Sequence, residues 1–221
     1  MTSVLLALAV AASVNPAGHW EGSVETPQGN IAFQIDLAGS TGAMVGAITI
    51  PSQRLRALPL TTITVDGATL IFGARTDQLL EARVADDGQS MTGTFRLATY
   101  AFPFALSRTG DARLTPAPAS PRVGAELEGT WRGTLADTGG DLHVVLTVHN
   151  DADGFARAEI VNLDEGGLRI PLAIAQTAAA VTFESPAVEG SFAGSLTASG
   201  ELAGTFRQNG AELSLTFRRT E

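Results

Sequence analysis

Two tryptophans occur in this 221-residue chain, and both stand in one small frame: GHWEGSV at 18–24 and GTWRGTL at 129–135. Sliding the sequence along itself by 111 residues brings these frames into register, and much else with them. Gly22 meets Gly133, IAFQIDL (31–37) meets LHVVLTV (142–148), Phe72 meets Phe183, and MTGTFR (91–96) meets LAGTFR (202–207). Phe102, Phe104, Leu106 and Arg108 fall on Leu213, Leu215, Phe217 and Arg219. A one-residue slip in the middle also aligns Pro59-Leu60 with Pro171-Leu172. Matches spread over about ninety residues mark a duplication, so whatever forms must form twice. The units read as 18–108 and 127–221, joined by the Pro-rich linker TGDARLTPAPASPRVGAE at 109–126.

Each copy alternates apolar and polar residues with period two and breaks at turn residues about every ten positions. In the second copy this predicts strands at 130–136, 141–149, 154–162, 167–175, 179–184, 189–197, 201–208 and 211–219. Asn209-Gly210 between the last two is a hairpin signal, because a two-residue type I′ turn needs positive φ at both positions. No segment carries a helical period. Eight short strands joined by tight turns point to an up-and-down antiparallel barrel, which removes sheet edges by closing on itself. The expected fold is all-β, with two tandem eight-stranded barrels; β-sandwiches are the alternative. Closure of the first barrel is the weaker expectation. Ala98-Thr99 replaces the Asn-Gly turn there, and Pro103 removes a donor from the last strand.

The inward face of the first strand in the second copy carries Trp131, Gly133 and Leu135. That of the last strand carries Leu213, Leu215, Phe217 and Arg219. Closing an antiparallel barrel sets the start of the first strand beside the end of the last. Arg219 is therefore expected over Trp131, and Arg108 over Trp20, each pair plugging one end of a barrel by a cation–π contact.

These residues resemble two known groups. G-x-W on the first strand with a closing Arg is similar to the signature of the calycins (lipocalins, fatty-acid-binding proteins, avidins). The second copy, from GTWRGTL through VNLDEGGLRIPL to GTFRQNGAELSLTFRR, resembles the all-β accessory domain that precedes the catalytic domain of many bacterial exported α/β-hydrolases and serine hydrolases. The first copy reads PSQRLRALPL where the second has the D-E-G turn. The resemblance implies an accessory domain, doubled, without its catalytic domain. No serine stands in G-x-S-x-G, so there is no nucleophile elbow.

Composition closes off other chemistries. Net charge is −9 and all 14 cations are arginine without a basic cluster, which argues against nucleic acid as a partner. Cysteine is absent, which excludes disulfides and thiolate metal sites. His143 and His149 share the outer face of a predicted strand, and His19 points outward if Trp20 points inward. HNDADGF (149–155) lacks the end ligands of a calcium loop, and Asp164-Glu165 sits in a turn. No catalytic residue, metal ligand or cofactor is expected. The apolar run VLLALAVAA (4–12) has the length of a signal-peptide core and is too short to span a bilayer. Residues 1–17 therefore read as a signal peptide, with cleavage after Ala12, Ser13 or Ala17, and the protein as periplasmic or secreted.

The expectation for function is a non-enzymatic exported protein that binds a small hydrophobic ligand or a partner protein. The alternative is a structural module that stabilises or recruits a separate hydrolase. Small inward residues of the second copy, Gly133, Ala158, Gly194 and Gly204, are the ligand-binding positions if that barrel is hollow, with Gln208 as a polar contact; the alternative is a filled barrel whose glycines ease strand coiling. The first copy turns Phe33, Phe72, Phe95, Phe102, Phe104, Met44 and Met91 inward and is expected to be packed solid.

Overall fold

The computed structural model describes residues 14–137 and 140–220. The first nine strands are β1 (Gly18–Thr26), β2 (Gly29–Ala38), β3 (Val45–Ile50), β4 (Leu55–Pro59), β5 (Thr62–Asp66), β6 (Thr69–Arg75), β7 (Gln78–Val84), β8 (Ser90–Leu97) and β9 (Tyr100–Gly110). They pair antiparallel in the order β4-β3-β2-β1-β9-β8-β7-β6-β5. After the two-residue bridge β10 (Ser120–Pro121) come β11 (Gly129–Asp137), β12 (Gly140–Asn150), β13 (Phe155–Asn162), β14 (Leu168–Thr177), β15 (Ala180–Ser185), β16 (Gly190–Leu196), β17 (Leu202–Gln208) and β18 (Ala211–Arg219). These last eight differ from the predicted strands by at most two residues at either end.

The second copy is a closed eight-stranded antiparallel barrel, β11 to β18, in which β13 pairs with β14 and β18 with β11. The first copy is instead a curled nine-stranded half-barrel, open between β4 and β5. This corrects the expectation of two closed barrels, and the break is not where the sequence pointed. The last hairpin is intact: Ala98 takes φ 52°, and β8 and β9 pair from Ser90↔Ser107 to Leu97↔Tyr100, with Pro103 opposite Thr94. The cause lies at Leu60-Thr61. The Leu60 N–H donates to Gly46 O on β3, and the next N–H, of Thr61, donates to Gly73 O on β6, both at 2.9 Å. The Thr61 hydroxyl is also within hydrogen-bonding distance of the Gly73 and Ala74 carbonyls. One strand is thus split in two. Its first half is further distorted by positive φ at Arg54 (56°) and Ala57 (47°). In the second copy the same changeover, between Leu172 and Ala173, happens inside the unbroken β14. The one-residue slip between the copies marks this difference.

The halves are docked, and the second completes the first. Leu168, Ala187 and Val188 of the second copy are buried in the core of the first, with Ile170 packed beside them. The Arg56 N–H of edge strand β4 donates to Ala187 O (2.9 Å), and the Thr76 N–H donates to Gly166 O (3.0 Å). The Arg56 bond covers part of a sheet edge that would otherwise offer unpaired backbone groups.

Two boundary expectations meet different geometry. The segment 109–126 is not a free tether. Val123 is buried in the second core, its N–H bonds Asn150, and the Gly124 N–H bonds Gln176. The expected signal peptide falls on residues 1–13, which lie outside the described residues, and on 14–17, which do not stand apart. Val14 packs on the first core, and Pro16 O accepts the Trp20 indole N–H at 2.9 Å. Among the described residues no helix is long and apolar enough to cross a membrane.

Candidate functional site

The tryptophan frame builds one end of each half. Trp20 pairs directly with Arg108, and Trp131 with Arg219. The guanidinium carbons lie 4.8 Å from the Trp20 ring centroid and 4.5 Å from that of Trp131. Each indole N–H donates four residues back, to Pro16 O and Leu127 O. Arg108 donates to Asn15 O, and Arg219 to Glu126 O and Glu128 O. The first glycine of the frame takes positive φ, 155° at Gly18 and 123° at Gly129, and the guanidinium passes over it. A Cβ on Gly129 would stand 2.8 Å from Arg219 Nη1. The second glycine relieves crowding, since a Cβ on Gly22 would meet Ala105 O at 1.9 Å and one on Gly133 would meet Leu215 and Phe217 at 2.9 Å.

At the opposite end of the first half lies a cavity of about 630 Å³. Its wall is apolar, formed by Phe33, Ile48, Leu58, Leu80, Phe95 and Phe102 among others. Its rim carries the amides of Gln28, Asn30, Gln53 and Gln78. Tyr100, Phe102 and Phe95 form a stacked ladder with centroid spacings of 6.2 and 6.4 Å, running from the 67% exposed Tyr100 to the cavity wall. The expectation of a solid first copy is therefore corrected. Phe72, Phe104 and Met91 are buried as read, but the split at Leu60-Thr61 holds the sheet open, and Phe33, Phe95 and Phe102 surround space.

The second copy supplies part of this site: Leu168 and Glu165 border the cavity. Arg75, also on the wall, donates from Nε and Nη2 to both carboxylate oxygens of Asp77 (3.0 and 2.9 Å), and its Nη1 lies 3.8 Å from Glu165. The Asp77 hydrogen bond raises Arg75 above its ordinary pKa, and the same bond holds Asp77 below its own. Asp77 lies close over Gly166, whose φ of 59° favours glycine: a Cβ there would lie 2.0 Å from Asp77 Oδ1, so the carboxylate would have to move. The turn DEGG, read from sequence as a turn and nothing more, is the piece of one copy that sits on the mouth of the other.

Four of the five expected ligand positions of the second barrel have other company. A Cβ on Gly194 or Gly204 would meet the Phe192 ring at 2.6 or 2.7 Å, so these glycines make room for that ring. Phe183 stacks on Phe192 at 4.5 Å, and Phe217 meets both edge-on. Ala158 is buried in the same core, and the Gln208 amide donates to Val188 O at 2.8 Å. Gly133 borders a second cavity of about 550 Å³ where β18 pairs with β11 through only three residue pairs. That cavity is edged by polar residues such as Arg132, His143 and Arg218.

His143 and His149 are exposed. His19 is outside the first sheet but buried, with Nδ1 2.7 Å from Asp36 and Nε2 3.0 Å from Glu21. Asp36 also accepts the Arg113 N–H (2.6 Å), so this cluster fastens the connecting segment to the first half. Sequence reading missed the roles of Arg75, Glu165 and Leu168, because nothing within one copy signals a contact made with the other.

No protein-family model matches the chain, and no curated protein matches it. Several solved structures show likeness. One is a protein of unknown function from the DUF3598 family of Nostoc punctiforme, at 14% identity over 91% of this chain and 94% of that one, with a TM-score of 0.26. Another is a candidate outer membrane protein of Bacteroides fragilis, at 10% identity over 93% and 97%, with a TM-score of 0.30. At these scores the likeness carries nothing about function.

Proposed function

We propose that this protein is a non-catalytic, exported carrier or sensor that holds a small hydrophobic molecule in the cavity of its first half. The observation that carries the reading is the cavity itself: about 630 Å³, walled by aromatic and aliphatic side chains, at the end away from the Trp20–Arg108 plug. Concave apolar sites of roughly 300–1,000 Å³ with a few polar groups are the usual form of a small-molecule site. Burial of apolar ligand surface supplies affinity at about 25 cal/mol per Å² before ordering costs. The apolar run at 4–12 supports export, and of the three cleavage points processing after Ala12 or Ser13, unlike after Ala17, would keep the Asn15 and Pro16 carbonyls on Arg108 and Trp20.

Nile red, a neutral apolar dye that brightens out of water, tests the reading directly. Stoichiometric binding is expected, weakened at least tenfold by Leu80→Trp, which puts an indole into the cavity. Absence of binding by a folded wild-type protein refutes it. A second reading, the accessory module of a separate hydrolase, is favoured by the exposed hairpin tip. Tyr100 and Leu97 are 67% and 38% exposed there, an apolar pair a partner would cover. A pull-down from the native host that returns a hydrolase with wild type and loses it with Tyr100→Ser/Leu97→Ser would support that reading.

A further inference from the structure

We infer that the molecule held in the first-half cavity is an amphiphile with an uncharged, hydrogen-bonding head, a hydroxyl or amide, and not a carboxylate, phosphate or amine. This rests on the carrier reading and assigns the chemical class of its ligand. Among the described residues, the charged side chains bordering the cavity are Arg75 and Glu165, and they face each other at 3.8 Å. They sum to zero. Arg75 is further committed outside the cavity, where Nε and Nη2 hold both oxygens of Asp77. An anionic head entering here would be the third negative group around one guanidinium, and would have to displace Asp77 to obtain the paired hydrogen bonds that make Arg a strong anion site. A cationic head finds Glu165 already held by Arg75 and by the Asn162 amide, which donates to it at 2.8 Å. The other polar groups on the rim are Gln28, Asn30, Gln53, Gln78 and Thr26, all neutral and able to donate and accept. An uncharged head meets matched partners without breaking any of these contacts.

The head then lies at the junction of the two halves, beside the turn Asp164–Gly167 of the second copy. The tail runs along the Phe33, Leu80 and Phe102 wall. Duplication thereby has a use: the second barrel, whose interior is taken by phenylalanine rings, contributes a carboxylate that further occupies the one cation at the mouth of the first.

Competition against Nile red with lauryl alcohol, lauric acid and lauryl amine tests the assignment, the three sharing one tail. The alcohol is expected to displace the dye at concentrations at least tenfold lower than the acid or the amine. An acid or amine that competes as well as the alcohol, or an alcohol that does not compete, overturns it. Nile red that never binds wild type instead overturns the carrier reading beneath it. Asp77→Asn and Glu165→Gln, each checked for an unchanged circular dichroism spectrum, release Arg75 from one carboxylate. Both are expected to improve lauric acid competition at least tenfold relative to the alcohol. No gain in either folded variant also overturns the assignment.

Discussion

Arg219→Ala removes a side chain that does three things at once, and the structure lets its cost be summed. The guanidinium lies 4.5 Å from the Trp131 centroid, and at an exposed site such a contact is worth about 0.5–1 kcal/mol. It also donates to Glu126 O and Glu128 O. Hydrogen bonds from a charged donor contribute about 1.5–3 kcal/mol when shielded; at this exposed position about 1 kcal/mol each is the fitting figure, since both carbonyls regain water in the variant. The sum is about 2–3 kcal/mol, which for a unit of this size lowers the thermal midpoint by roughly 10 °C or more. Denaturant unfolding followed by fluorescence in a Trp20→Phe background isolates Trp131. Arg219→Ala is expected to shift both the unfolding midpoint and the native emission maximum. Arg219→Lys keeps the charge near the ring but cannot reach both carbonyls, and should fall between. A loss under about 0.5 kcal/mol with unmoved emission would refute the plug, because ordinary surface substitutions fall in that range.

Leu168→Ala truncates a second-copy residue buried in the first core, so the loss of about 2–3 kcal/mol, moderated by the adjoining cavity, should appear in Trp20 emission of a Trp131→Phe protein. Unfolding of the first half, followed by Trp20 emission, that is unchanged by Leu168→Ala would contradict the docking of the halves. Gly194→Ala puts a Cβ 2.4 Å from Ala203 O and 2.6 Å from the Phe192 ring, and should destabilise the second barrel by about 1–3 kcal/mol; a neutral result would show an interior looser than described. Asp77 is held below its ordinary value of 3.8, so its ion pair contributes fully above about pH 4 and is lost only as pH falls through the lowered value. The stability difference between wild type and Asp77→Asn should therefore stay constant from about pH 8 to 5 and close only under more acid conditions. Closure between pH 7 and 5 would show that Arg75 does not hold the carboxylate.

The closed barrel was legible because its information is local. Alternation with period two names the strands, Asn209-Gly210 names the last turn, and one repeat offset names the Trp–Arg partners. The half-barrel was not legible for the opposite reason. Pro59-Leu60 and Pro171-Leu172 look alike in sequence, yet one copy splits its strand at that point and the other does not. The difference comes from which neighbours Leu60 and Thr61 bond, together with the positive φ at Arg54 and Ala57. The only trace was the one-residue slip. Small residues were an uneven guide to empty space: Gly194 and Gly204 accommodate Phe192 and Gly133 borders a polar-edged cavity, while the phenylalanine-rich copy holds the apolar one. A glycine leaves room, but the fold decides whether a ring takes it. Glu165 and Leu168 act across the junction of the two copies, a relation that periodicity within either copy does not encode.

Native mass spectrometry of the mature protein from its own host tests the central claim most directly. A stoichiometric small molecule is expected, released on unfolding, absent from Leu80→Trp and retained by a folded variant of the second barrel's interior. A ligand lost with the second-barrel variant and kept by Leu80→Trp would place the site in the wrong half. A protein that arrives empty and then binds no Nile red would contradict the carrier outright.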